Sequence, residues 1–127
     1  MNERRTIRTE KAPLPIGPYE QAVVGGPLVF LSGQIGLDPR TGKIVAGGVA
    51  EQTEQVLKNV RAVLEASGSS LAKVVRMGVY LADMADFARM NEIYSKYMGE
   101  VKPARSAIAV KGLPAGALIE IDAVALS

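Results

Sequence analysis

Three stretches of this chain are apolar on both of their alternating faces, and that pattern restricts the fold more than anything else in the sequence. Leu28 to Ile35 sets Leu28 and Phe30 against Val29, Leu31 and Ile35. Lys73 to Leu81 sets Val74 and Tyr80 against Val75, Met77, Val79 and Leu81. Leu118 to Leu126 sets Ile119, Ile121, Ala123 and Ala125 against Leu118, Glu120, Asp122, Val124 and Leu126. Successive side chains of a strand point to opposite sides, so a sheet built from these strands needs cover on both faces.

The chain has material to cover only one of them. From Val49 to Ala66 the apolar period becomes helical, with Val49, Val56, Leu57, Val60, Val63 and Leu64 on one face and Glu, Gln, Lys and Arg elsewhere. Gly68 is a C-terminal stop. Asp83 can cap a second helix running to about Met98, ended by Gly99 and Pro103. Gln21 to Val24 forms a further strand, joined to Leu28–Ile35 around Gly25-Gly26-Pro27, and Arg105 to Lys111 another. Pro13, Pro15, Gly17 and Pro18 stiffen an early loop, and Asp38 to Gly42 and Gly112 to Gly116 read as turns. The order β-β-α-β-α-β-β predicts an α+β sheet with two helices packed on one face. A second subunit is expected to cover the other face.

The length of 127 residues fits a single domain, 1–127, able to bury roughly two thirds of the surface of its unfolded form. Apolar residues make up 48% of it, which excludes disorder. A net charge of +2 argues against nucleic-acid binding. Arg4, Arg5, Arg8 and Lys11 are diluted by Glu3 and Glu10 and read as a solvated segment. No histidine and no cysteine occur, which removes disulfides, thiolate nucleophiles, Ser-His pairs and the usual zinc sites. No dense Asp/Glu cluster suggests a metal either. No stretch approaches the ~18 apolar residues that span a bilayer, and no leader-like run follows Met1, so a cytoplasmic protein is expected.

Within the apolar strands two charges stand out, Arg105 and Glu120. Buried charges need partners. The two could pair across adjacent strands, needing no chemistry. A turn near Pro114 would set Arg105 opposite about Ala123, leaving Glu120 offset by roughly 10 Å and Asp122 nearer. If separate, Arg105 can hold an anion and Glu120 can accept a proton from water. Asn91 falls inside the apolar arc of Phe87, Met90, Tyr94, Tyr97 and Met98, either as a satisfied amide or as one aimed into a polar pocket. Ser32 is either a small packing residue or a hydrogen-bond donor; without histidine it has no conventional base. Tyr19, after Gly17-Pro18, is either a surface residue or a hydroxyl on a pre-set backbone.

Ile16-Gly17-Pro18-Tyr19, Leu31-Ser32-Gly33-Gln34-Ile35, Glu51-Gln52-Thr53, Asn91-Glu92-Ile93-Tyr94, Pro103-Ala104-Arg105-Ser106 and Ile119-Glu120-Ile121 follow one another in the order and spacing of the RidA family, which the chain resembles along essentially its whole length. The resemblance implies a chorismate-mutase-like fold with a mixed sheet, assembled as a homotrimer with a site in each cleft between subunits. It implies hydrolysis of reactive 2-imino acids and their enamines, such as 2-iminobutanoate and 2-iminopropanoate, to 2-oxo acids and ammonia, without cofactor or metal. On the matching positions, Arg105 is expected to clamp the substrate carboxylate and Glu120 to orient and activate the attacking water. Tyr19, Ser32 and Asn91 are expected to place substrate or water. Ala107 stands where the family often has Cys or Thr, so only a backbone contact is expected there. Other activities set against this one are a ribonuclease or translation inhibitor, and a non-catalytic trimer that binds small carboxylates.

Overall fold

A computed structural model describes residues 3–127; Met1 and Asn2, where the search for a leader begins, lie outside the described residues. The elements are β1 (Arg4–Ile7), β2 (Ala22–Gly25), β3 (Leu28–Ile35), α1 (Val49–Ala66), β4 (Val74–Leu81), α2 (Phe87–Met98), β5 (Ala104–Ala109) and β6 (Ile119–Leu126). Gly26, at φ +59°, makes the two-residue β2–β3 turn with Pro27. Gly68, at φ +87°, ends α1: its N–H donates to Glu65 O, and the Ser69 N–H donates to Leu64 O. Asp83 caps a short 3-10 turn over Met84–Asp86 rather than α2 itself, accepting from the Ala85 N–H, and that turn feeds α2.

The six strands lie in the order β1-β2-β3-β6-β4-β5. All neighbours are antiparallel except β4 and β5. Since β6 runs antiparallel to both β3 and β4, those two are parallel to each other. The β3-α1-β4 and β4-α2-β5 crossovers therefore step the same way along the sheet. Crossovers of one hand stepping one way put both helices on one face. Between them lies the core: Val56, Leu57, Val60, Val63 and Leu64 of α1 and Met90 and Met98 of α2 against Val29, Met77, Val79, Leu81, Ile119 and Ile121 of the sheet.

The opposite face is half open. Phe30 is 49% exposed and Leu126 47%, beside half-buried Leu28 and Val124. Leu28 pairs with Leu126 and Phe30 with Val124, so the four form one apolar patch.

Four expectations are corrected. The basic N-terminal segment is not merely solvated: Arg4–Ile7 pairs with β2 as an edge strand, Ile7 is buried, and Arg5 Nη2 donates to Ser67 O at 3.1 Å. Charged side chains on an edge strand hide its strand character from composition. Val75 does not share a face with Met77, because a bulge between Val74 and Arg76 turns Val74 inward and Val75 out. The polar residues of α1 are not all outside: Gln52, Thr53 and Asn59 are buried. Finally, β5 and β6 are not neighbours; β4 lies between them, with Met77 paired to both Arg105 and Ala123. The level expected of Arg105 was right, but its strand runs parallel to β4 at the sheet edge, so no direct β5–β6 pairing exists.

Candidate active site in two halves

Arg105 is held by one stripe of α2. Phe87, Asn91 and Tyr94 stand at i, i+4 and i+7, so they share a helix face. Arg105, level with the buried Met77, points to that helix side. Its Nη1 donates to Asn91 Oδ1 at 2.7 Å. The guanidinium carbon lies 4.7 Å from the Tyr94 ring centre and 5.5 Å from that of Phe87. Asn91, Tyr94, Lys102, Pro103 and Arg105 border a cavity of about 340 Å³. The Tyr94 hydroxyl is buried without a hydrogen-bond partner among the described residues. Burial pushes its pKa up, and the Arg105 charge partly offsets that.

Glu120 is placed on the other face. Ile119 and Ile121 are fully buried under the helices, so Glu120 between them points to the open side, beside Ile35 on β3 and Tyr80 on β4. The bulge between Leu31 and Gln34 brings Gly33 next to it. A Cβ on Gly33 would collide with the Glu120 carboxylate, lying 2.8 Å from its Cδ, so this glycine makes the seat for that group. Tyr19, Gly33, Ile35, Pro114 and Glu120 border a cavity of about 110 Å³. Burial first, and the Asp122 charge second, push the Glu120 carboxyl above its ordinary pKa.

Buried polar side chains hold this half together. The Leu118 N–H donates to Gln52 Oε1 at 2.8 Å, fixing the entry to β6. Asn59 Nδ2 donates to Ile35 O and Leu37 O, fixing the exit of β3. Gln21 clamps the loop before Tyr19: its Oε1 accepts from the Thr9 N–H and its Nε2 donates to Thr9 O, Ala12 O and Pro13 O. Ser32 Oγ donates to Glu20 O at 2.7 Å, so its proton is directed at the backbone beside Tyr19.

Ala107 packs its methyl against the core from the edge strand β5. The Val110 N–H donates to Leu81 O, and backbone groups alternate sides along a strand, so the N–H and C=O of Arg105 and Ala107 point to the open edge. Among the described residues no group of three or more His, Cys, Asp or Glu is placed to hold a metal ion. One chain thus unites Arg105 with Asn91, and Tyr19 with Glu120, but puts the two pairs on opposite faces of the sheet.

The model of the family described as endoribonuclease L-PSP matches residues 9–127. A RutC family protein of Pyrococcus horikoshii is 55% identical over 122 residues, 96% of this chain and 97% of its own. The human 2-iminobutanoate/2-iminopropanoate deaminase is 50% identical over 123 residues, 97% of this chain and 90% of its own. The chain belongs to this family, the RidA family. Among solved RidA-like structures, Escherichia coli TdcF with bound serine superposes with a TM-score of 0.91 at 40% identity, covering 97% of this chain and 98% of its own.

In this RidA-family chain, sequence reasoning did not single out the groups that support Arg105 and Glu120. Phe87 and Tyr94 were read only as core, although their spacing with Asn91 was visible. Gly33 carried a signal of its own, a glycine inside a strand, which marks close approach by another group.

Proposed function

We propose that the protein is an imine hydrolase that converts 2-imino acids such as 2-iminobutanoate and 2-iminopropanoate to 2-oxo acids and ammonia, without cofactor or metal, as a cytoplasmic homotrimer. One observation carries this reading: Arg105 and Glu120 each border an open cavity, but on opposite faces of the sheet. They can meet around one small molecule only if a second copy supplies the missing half. The apolar patch around Phe30 and Leu126 supports such an assembly. So does the identity of about half shared with the human deaminase.

The chemistry follows from the two halves. Arg105 holds the substrate carboxylate with two parallel N–H donors, steadied by Asn91 and the Phe87 and Tyr94 rings. Ala107 offers backbone groups at the edge. On the other side, Tyr19 and Glu120 receive the water, and Ser32 keeps the Tyr19 backbone in place. Water oxygen bonds to the carbon of the protonated imine while Glu120 takes one water proton, leaving a neutral carbinolamine. Glu120 passes that proton to the carbinolamine nitrogen; the C–N bond then breaks as the carbonyl forms, ammonia leaves, and Glu120 takes the hydroxyl proton, which departs with ammonia as ammonium. An imine carbon is already electrophilic, so positioning supplies much of the acceleration.

A dehydratase that releases 2-iminobutanoate supplies the substrate for a test, with imine loss followed over time. Arg105→Ala and Glu120→Gln should each be nearly inactive. In mixed assemblies of the two variants, about a quarter of the sites should regain both intact groups if each site is shared between neighbours around a ring. Full inactivity of the mixture would sink the shared site. Tight carboxylate binding with no acceleration by the native protein would favour a binding protein instead.

A further inference from the structure

The open face carries a second carboxylate that the proposed mechanism does not use. Asp122 lies two residues from Glu120 on the same side of β6. Its Oδ1 accepts from the Gly78 N–H at 3.1 Å, and its Oδ2 accepts from the Tyr80 hydroxyl at 3.0 Å. Arg76 Nη1 lies 3.8 Å from Oδ1. A Cβ on Gly78 would collide with the Asp122 carboxylate and lie 2.6 Å from the Tyr80 hydroxyl oxygen. The two carboxylates therefore have matching seats on opposite sides of β6: Glu120 over Gly33 of β3, Asp122 over Gly78 of β4.

We propose that Asp122, tethered to β4 by Tyr80 and the Gly78 N–H, is a positioning residue whose fixed charge keeps the Glu120 carboxylate on the β3 side, facing the Tyr19 cavity. The use made of Glu120 rests on the hydrolase reading above; the coupling of the two carboxylates does not. Like charges on one strand face repel, which favours the seat at Gly33 over the second cavity that Glu120 borders, the one lined by Tyr80, Val110, Leu113 and Asp122. The charged and titratable groups around Glu120 are few. Its own strand supplies Asp122. Strand β4 supplies Tyr80, its cross-strand partner, and Arg76, which is turned to Asp122. On β3 the neighbours Gly33, Gln34 and Ile35 carry no charge, and the N-terminal loop supplies Tyr19. The hydrogen bond to Asp122, above all, raises the Tyr80 pKa, so Tyr80 stays a donor through the working range.

The test is a carbon-13 titration of the Glu120 carboxyl in the full chain, assigned by its absence in Glu120→Gln, alongside the pH profile of imine hydrolysis. Asp122→Asn should move the Glu120 midpoint, and the acid limb of kcat/KM, to lower pH by about 0.5 or more. Asp122→Glu restores the charge and should return both toward their native positions. A purely structural Asp122 would change stability and leave the midpoint where it was, which overturns the proposal. If Asp122→Asn does not fold, Tyr80→Phe releases the tether and should raise the midpoint; no movement there also overturns it. A midpoint that moves in a protein without hydrolase activity would keep this coupling and reject the hydrolase reading.

Discussion

The two halves of the site are prepared in opposite ways. Arg105 is exposed but braced: its hydrogen bond to Asn91 Oδ1 and two aromatic rings fix a guanidinium that would otherwise sample many rotamers. Glu120 is left alone: burial and a neighbouring charge act on its carboxyl, with no hydrogen bond from the described residues offsetting them, and the room it occupies is made by a missing Cβ at Gly33. The difference suits the tasks proposed for them. A clamp gains from being rigid before the anion arrives, because less freedom is lost on binding. A base gains from being under-satisfied, because a carboxylate already stabilised by donors takes a proton less readily.

The strongest way to break that contrast is Glu120→Gln. If Glu120 is the base, kcat should fall about 10²–10⁴-fold, with KM little changed, in steady-state imine loss. The native protein should lose activity as pH falls, with the limb above the range of an ordinary glutamate, since burial and Asp122 raise this one. The same shift fixes a stability sign. The folded state holds the Glu120 proton more tightly than the unfolded chain does, so ionisation at higher pH works against folding. Glu120→Gln should therefore melt slightly higher than the native protein at neutral pH, and a clearly lower melting temperature would contradict an under-satisfied carboxylate.

Arg105→Lys tests the other half. A lysine keeps the charge but cannot supply the two parallel donors, so KM should rise by roughly 10–100-fold, matching the 1.5–3 kcal/mol of a hydrogen bond to a charged group. An unchanged KM would mean that charge alone recruits the substrate.

How much of this was readable from the residues differs between the halves. Arg105 and Glu120 were visible because a charge inside an apolar run is conspicuous, but the cost of burial applies only to half-buried Glu120, since Arg105 is exposed on the edge strand β5. The alternation also set the faces correctly along the last strand, where Ile119, Ile121, Ala123 and Ala125 are buried and Glu120 and Asp122 are not. What stayed hidden depends on strand order and bulges. Nothing local says that the last strand inserts between β3 and β4, so pairing of β5 with β6 looked natural. The bulge at Val74–Arg76 changes a face by one residue without any glycine or proline to announce it. Gln52 read as solvent-facing, and Asn59 drew no reading at all, because their partners are backbone groups of Leu118, Ile35 and Leu37, distant in sequence.

Gly33→Ala sharpens the comparison where it is most unusual. The collision is with the far end of a flexible side chain, so the fold should accommodate the methyl with little change in melting temperature. The Glu120 carboxylate must move, and a misplacement on the order of 1 Å can cost up to about 10²-fold in rate. A roughly tenfold loss in kcat at unchanged stability is expected. Equal losses in the two would make Gly33 a packing residue and not a seat.

The smallest expected effect concerns the rings beside Arg105. Phe87 is the more distant of the two, at 5.5 Å against 4.7 Å, and Asn91 and Tyr94 remain when it is changed. A cation over an aromatic face at such a half-exposed place contributes about 0.5–1 kcal/mol, so Phe87→Leu should raise KM roughly twofold to fivefold and leave kcat alone. Leucine keeps most of the apolar contact with the core, which separates loss of the ring face from loss of packing. If KM does not move, the guanidinium is held by Asn91 and Tyr94 alone. If kcat falls as well, Arg105 must shift with the ring, and the clamp would then be coupled to the water-bearing half through the bound substrate rather than being rigid in advance of it.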